Sequence, residues 1–250
     1  MRLTIIGSGT AAIRANRGFA GHVLSIGNEL FLLDGGSGTL RKCDEAGISY
    51  KEIDRIFYSH LHPDHTTDLI PFLFATKHTP GFTRTKELEI YGPIGFREFF
   101  NKSVALYGAG MIEAEYQIKI RELRKERIEL GSLQLETNWM NHSENAIGFR
   151  FEADGRTFVY SGDTDYCDEI IALARDADLL LLECSFPDQM KVRGHLTPTE
   201  AGRIAAAARV KSLILTHLYP PCDEEDILTP CRKQFDGPVA RAQDLMSVEI

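Results

Sequence analysis

Short apolar runs separated by glycine-containing stretches mark the first part of the chain. They are Leu3-Thr4-Ile5-Ile6, His22-Val23-Leu24-Ser25-Ile26 and Glu29-Leu30-Phe31-Leu32-Leu33-Asp34. Runs of this length, bounded by turn residues, predict strands. Arg55-Ile56-Phe57-Tyr58-Ser59 predicts another, and Thr67–Ala75 has helical character that Pro71 limits or kinks. Residues 96–130 read as mostly helical. Their mixed-charge run Lys119–Arg127 alternates acids and bases, which suits a solvated helix face better than an RNA-binding patch. The second half is again strand-rich, with strands expected at Leu133–Trp139, Ile147–Glu152, Thr157–Asp163, Asp178–Glu183 and Ser212–His217. Asp154-Gly155 predicts a tight hairpin between the second and third of these. Helices are expected over Tyr166–Asp178 and Thr199–Val210. The latter opens on a capping box, with Thr197 as cap, Pro198 at the first helical position and Glu200 closing the box. Strands alternating with helices, after strands that pair locally, predict a layered α/β fold with mixed sheets.

The chain has 250 residues, 43% hydrophobic and 26% charged, enough to bury a substantial core. A formal net charge of −8 argues against broad non-specific binding to nucleic acid, which relies on a basic footprint. The five cysteines are widely spaced, odd in number and form no C-x-x-C, which fits buried free thiols in a reducing compartment. No stretch approaches the roughly 20 apolar residues a membrane span needs, and no signal-peptide pattern opens the chain, so a soluble cytoplasmic protein is expected. Gly7-Ser8-Gly9-Thr10-Ala11 after the first strand lacks the rest of a phosphate-loop motif and reads as a turn.

The segment Tyr58-Ser59-His60-Leu61-His62-Pro63-Asp64-His65 concentrates three of the eight histidines in six positions. One tetrahedral ion takes about four ligands, and a catalytic one keeps a position open. Four donors from so short a stretch therefore suit two ions better than one. His142, Asp163, His195 and His217 also lie just after predicted strands or just before the capped helix, where loops at one rim of an α/β sheet converge on ligands. The expected division places His60, His62 and His142 on one ion and Asp64, His65 and His217 on the other, with Asp163 between them. Imidazole and carboxylate without thiolate fit Zn²⁺, with Mn²⁺ or Fe²⁺ as alternatives. His22 and His78 have no such company and read as structural. Phe72, Phe74, Phe82 and Tyr107 are candidates for a substrate pocket or, more simply, for core packing.

These pieces resemble the metallo-β-lactamase superfamily: His60-Leu61-His62-Pro63-Asp64-His65, then His142, Asp163 within Ser-Gly-Asp-Thr, and His217 within Leu-Thr-His. Leu30-Phe31-Leu32-Leu33-Asp34-Gly35-Gly36 is similar to the family's early strand and aspartate turn, and Asp244–Ile250 to its closing strand. The resemblance implies an αββα sandwich in a single domain spanning 1–250, made of two similar halves with a dinuclear site at one edge. Asp163 stands where the zinc β-lactamases use cysteine. Glu183-Cys184-Ser185-Phe186 followed by Gly194-His195-Leu196-Thr197 resembles the ribonuclease Z-like phosphodiesterases, in which the histidine matching His195 assists at the scissile phosphate. Ribonuclease Z carries a long tRNA-grasping arm between the positions matching His142 and Asp163. Here 21 positions separate them, already filled by the predicted hairpin. Small cyclic-phosphodiester hydrolases of that branch lack the arm.

The implied chemistry is phosphodiester hydrolysis by a metal-bridging hydroxide. Asp64 serves as ligand and proton acceptor, His195 as the acid or cationic stabiliser, and Glu183 as the carboxylate behind His195. The expected substrate is a phosphodiester, either a small molecule or RNA; no membrane partner is expected and a homodimer is left open. Two rival readings are a lactone, thioester or β-lactam hydrolase on the same scaffold, and a non-catalytic metal-retaining nucleic-acid-binding or regulatory module.

Overall fold

The computed structural model describes residues 1–108, 110 and 115–250. Its strands are β1 (Arg2–Gly7), β2 (Gly21–Ile26), β3 (Glu29–Leu33), β4 (Ile53–Phe57), β5 (Leu88–Pro93), β6 (Ile118–Leu123) and β7 (Glu126–Leu130), followed by β8 (Leu133–Trp139), β9 (Ile147–Ala153), β10 (Arg156–Tyr160), β11 (Leu179–Glu183), β12 (Leu213–Thr216), β13 (Val239–Arg241) and β14 (Ser247–Glu249). The helices are α1 (Thr39–Glu45), α2 (Pro63–Thr66), α3 (Leu69–His78), α4 (Phe96–Tyr107), α5 (Asp168–Leu173), α6 (Pro198–Ala208), α7 (Pro221–Glu224) and α8 (Leu228–Arg232).

The strands form two mixed sheets, ordered β14-β1-β2-β3-β4-β5-β6 and β13-β12-β11-β10-β9-β8-β7. In each, antiparallel pairing gives way to parallel pairing, at β3–β4 in the first and at β10–β11 in the second. Three apolar clusters separate four layers. Phe31, Phe57, Phe149, Phe151, Phe158 and Leu181 pack between the sheets. Ile56, Leu73, Phe72 and Phe96 pack the first sheet on α3 and α4, and Leu180, Leu182, Ile204 and Ala205 pack the second on α6. This is an αββα sandwich. The run Leu179-Leu180-Leu181-Leu182 shows why the central strands read as continuous apolar stretches. Leu179 and Leu181 face the other sheet while Leu180 and Leu182 face the helices, so both sides of the strand are buried.

Most predicted strands occur as expected, and Asp154 (φ 53°) and Gly155 (φ 71°) form the left-handed pair a two-residue hairpin requires. The capping box is present, with Thr197 N donating to Glu200 Oε2 at 3.0 Å. Two expectations are corrected. Only residues 96–107 of the stretch 96–130 are helical. Residues 109 and 111–114 lie outside the described residues, and Lys119–Arg127 spans most of β6 and the start of β7. Ile118 and Ile120 turn toward the core under the helices while Lys119 and Arg121 point out, a period-two pattern that the mixed charges obscure. Both are edge strands, where exposed charge discourages pairing with another chain. Pro71 does not break α3. It sits in the first turn, where its missing N–H has no intrahelical acceptor to lose. Of the four aromatic candidates, Phe72 belongs to the core, whereas Phe74 and Tyr107 are exposed.

Phe57 joins the layers. It stacks on Tyr91 at 4.8 Å and meets Phe149 and Phe151 of the opposite sheet edge-on at 5.8 and 5.3 Å. Phe57→Ala is expected to lower stability by about 3–5 kcal/mol, read as a shift in the midpoint of urea unfolding.

Candidate metal centre

Strands β3, β4, β8, β10, β11 and β12 all end at one rim, and the residues that follow them converge there. His60 Nε2 and His142 Nε2 lie 3.0 and 3.1 Å from His62 Nδ1, and each is 3.7 Å from Asp163 Oδ2. A tetrahedral ion with ligands at about 2.0–2.1 Å holds its ligand atoms about 3.3 Å apart, so this spacing fits an ion at their centre. Beside it, His65 Nε2 and His217 Nε2 are 3.3 Å apart, with Asp64 Oδ2 at 4.0 and 3.5 Å from them. Asp163 faces this group too, its Oδ1 3.4 Å from His65 Nε2 and its Oδ2 3.4 Å from His217 Nε2. Both groups could hold a metal ion, and His195 joins Asp163 and His217 in a third overlapping group. His60, His65, Asp163 and His217 are buried while His62 is exposed, so the cleft opens on the His62 side.

Asp163 Oδ1 is the atom that tests the fit. It is buried and finds no hydrogen-bond donor among the described residues. His65 offers none when neutral, because its Nδ1 proton goes to Asp34 Oδ2 at 2.8 Å and leaves a bare lone pair at Nε2. A buried carboxylate among lone pairs is stable only with a cation beside it. The local field agrees. Burial works against charge on His65, but Asp163 and Asp34 outweigh it and hold its proton affinity well above the ordinary range. Burial likewise opposes charge on Asp163, yet His217 and His65 keep it ionised. His60 is pushed the other way, chiefly by burial. The donor set therefore suits a divalent cation.

Four of the five ligand rings are aimed by their second nitrogen, His65 through Asp34 as above. His142 Nδ1 donates to Gly194 O at 2.8 Å, His217 Nδ1 lies 3.0 Å from Ser185 Oγ, and His60 Nδ1 lies 3.0 Å from Ser59 Oγ. Asp34 organises the floor. It is fully buried and accepts from Ser59 N, Ser59 Oγ, His65 Nδ1 and Tyr160 Oη at 2.6–2.8 Å. The sequence marked Asp34 only as part of a turn, and gave Ser59, Tyr160 and Ser185 no role of their own. Nothing in their residue types announces a role that depends on distant partners. The signal for Asp34 was the pair of glycines after it. A Cβ on Gly36 would lie 2.0 Å from Asp64 O, so this turn comes close against α2 only with glycine there. Asp34 (φ 55°) and His217 (φ 56°) both hold left-handed backbone, the local strain that surrounding contacts sustain at functional sites.

Glu183 is not a surface acid. It is fully buried, and its carboxylate accepts from Thr164 N at 2.8 Å, Ser185 Oγ at 2.7 Å, Leu196 N at 3.1 Å and His195 Nδ1 at 3.0 Å. Burial alone would lower the His195 pKa, but the Glu183 hydrogen bond and charge raise it. The second nitrogen of His195 makes no hydrogen bond among the described residues. His22, by contrast, stands apart from the metal-ligand groups. It is buried edge-on against Tyr160, and burial pulls its pKa down to about 3.

The family described as beta-lactamase superfamily domain matches residues 31–218, a span holding every residue of both ligand groups. The chain belongs to that superfamily. Within it, the chain lies in the ribonuclease Z-like branch. Ribonuclease Z of Methanosarcina acetivorans is 30% identical over 309 aligned positions that cover all of this chain and 98% of the relative. An uncharacterized protein of Mycobacterium leprae is 31% identical, covering 96% of this chain and 85% of its own length. Human short-form tRNase Z superposes with a TM-score of 0.83 at 25% identity, covering 100% of this chain and 99% of that one. The metallo-beta-lactamase fold protein YhfI of Bacillus subtilis does so with a TM-score of 0.87 at 26% identity, with the same coverage.

The shared carboxylate gives the sharpest test. Asp163→Ala is expected to retain less divalent metal than the parent protein, measured by elemental analysis after dialysis, while the protein remains folded by circular dichroism. Asp34→Asn, which replaces the carboxylate behind His65 with a neutral amide, should weaken divalent-metal affinity about 10- to 100-fold, read by competition with a chromogenic chelator.

Proposed function

We propose that this protein is a metal-dependent phosphodiesterase in which two divalent ions, Zn²⁺ by preference and Mn²⁺ or Fe²⁺ as alternatives, occupy the adjoining ligand groups. His60, His62 and His142 would hold one ion and Asp64, His65 and His217 the other, with Asp163 available to both. Such ions supply positive charge to the phosphate oxygens and lower the pKa of a water at the centre. The observation that carries the reading is the pairing of half-buried His195 with fully buried Glu183 at 3.0 Å, set against the ligand cluster. A carboxylate-backed imidazole with a raised pKa is suited to protonating an alkoxide as it leaves phosphorus.

The division of labour follows from position. His195 delivers its free ring proton to the leaving oxygen as the P–O bond breaks. Asp64, at the His217 side of the cluster, accepts a proton from the attacking water as the new P–O bond forms. Glu183 holds the His195 ring in place and balances its positive charge. The ring of Tyr219, 6.3 Å from His195 and stacked on Phe186 at 4.5 Å, walls the cleft on that side. Because the cluster draws on strands of both sheets, the reading takes 1–250 as one hydrolase domain.

Substrate size follows from what stands between His142 and Asp163. The hairpin of β9 and β10 occupies that interval, leaving no length for a tRNA-grasping arm. With a net charge of −8, small phosphodiesters are favoured over tRNA precursors. No helix among the described residues is long and apolar enough to cross a membrane, and all five cysteines are free, in keeping with a cytoplasmic location.

The test is hydrolysis of bis(p-nitrophenyl) phosphate beside nitrocefin and a simple lactone, with zinc-reconstituted protein. Turnover of the phosphodiester is expected, and turnover of only the acyl substrates would sink the reading. Two zinc ions per chain should be found, and a stoichiometry of one would overturn the dinuclear assignment. His195→Ala should lower kcat about 10²- to 10⁴-fold with metal content intact, whereas loss of zinc would make His195 a ligand instead.

A further inference from the structure

The loop between β11 and α6 carries Ser185, Gly194 and His195, yet residues 188–193 within it are exposed and offer no buried apolar side chain to hold it. Something polar must do so. At its near end Asp188 accepts from Thr199 N and Oγ1 at 3.0 and 2.6 Å, which ties the loop to α6 but leaves the Gly194 and His195 end unaccounted for.

That end is gathered by one ammonium group. Lys191 Nζ donates to Asp165 Oδ1 at 2.5 Å, to His195 O at 2.6 Å and to Glu200 Oε2 at 2.6 Å, using all three of its protons. Both carboxylates have a second attachment. Asp165 Oδ2 accepts from Gly194 N at 2.8 Å, and Gly194 O is the acceptor that orients His142 through Nδ1 at 2.8 Å. Asp165 N donates to Asn141 O at 2.8 Å, so the loop bearing Asp163 is tied to the one bearing His142. Glu200 accepts from Thr197 N in the capping box, two residues beyond His195. Lys191 thus ties its own loop to the loop bearing Asp163 and to α6, and Gly194 and Asp165 carry the link on to the loop bearing His142.

We infer that Lys191 is a positioning residue. Through Asp165 and Gly194 it fixes the ring of His142, and through the His195 carbonyl and Glu200 it fixes the backbone from which His195 reaches the cleft. Its own ammonium touches neither ligand atoms nor the place a substrate would occupy. The bonds are partly shielded, with the Lys191 side chain about one-third exposed and those of Asp165 and Glu200 less so. Their importance therefore lies in geometry rather than in the strength of an exposed ion pair. A group that orients a ligand by way of its hydrogen-bond partner commonly influences metal affinity by about 10- to 100-fold, and a misplacement near 1 Å costs about 10²-fold in rate. The part of this inference that concerns His195 rests on the phosphodiesterase reading; the part that concerns His142 does not.

The experiment compares the parent with Lys191→Met, Asp165→Asn and the double variant. Lys211→Met serves as control, since it breaks an ion pair with Asp178 at the opposite end of the strands. Zinc affinity by chelator competition is expected to weaken about 10-fold or more in Lys191→Met. Its kcat on bis(p-nitrophenyl) phosphate should fall about 10- to 100-fold with KM within about twofold. The double variant should be no worse than the poorer single one, because both changes cut the same chain of contacts. The control should match the parent. Unchanged zinc affinity in Lys191→Met would overturn the inference, as would losses that are additive with Asp165→Asn or that track an equal fall in the thermal midpoint. The affinity measurement needs no substrate. A parent protein that hydrolyses no phosphodiester would therefore defeat the proposed function while leaving the role of Lys191 to be decided by zinc binding.

Discussion

The carboxylate of Asp163 is the constraint on which the rest of the site turns. It is buried, it faces imidazole nitrogens from both ligand groups, and one of its oxygens has no protein donor among the described residues. A charge in that position is tolerable only if positive charge is concentrated beside it. The fold meets that condition by bringing strand ends from two separate sheets to one rim. The same carboxylate explains why the ligand groups sit side by side, since a single side chain at their junction serves both.

Around it runs an outer layer of contacts that is as specific as the ligands. Asp34 holds His65, the Gly194 carbonyl holds His142, Ser185 stands behind His217, and Glu183 holds His195. Each contact fixes which ring nitrogen carries the proton and so which one faces the cluster. Glu183 also ties together Thr164, Ser185 and Leu196, linking the Asp163 loop to the segment that carries His195. The site is thus held less by its ligands than by the polar contacts one step behind them, with Lys191 proposed as the most remote of these.

Much of this was legible in the residues. Runs such as Leu179–Leu182 announce strands buried on both faces, and Asp154-Gly155 announces its hairpin by demanding left-handed backbone twice. The concentration of donors in His60–His65 exceeds what one ion can use, so the dinuclear reading and its distant completing residues could be sought from spacing. The stretch Lys119–Arg127 was misleading for a physical reason. In an edge strand the outward positions are charged and the inward ones only half buried, so the apolar period is weak and the alternation of acids and bases looks helical.

The sequence by itself determined the chemistry available: which donors exist, that thiolate is not among those clustered, and that the hairpin fills the interval before Asp163. It could do so because ligand type and chain length are local properties. Only the tertiary structure decided that Glu183 is buried beneath His195 rather than solvated, that Asp34 and Tyr160 share the floor, and that Lys191 reaches Asp165, the His195 carbonyl and Glu200 at once. Those facts depend on burial and on partners dozens of residues away, set by how two sheets pack and where their strands end.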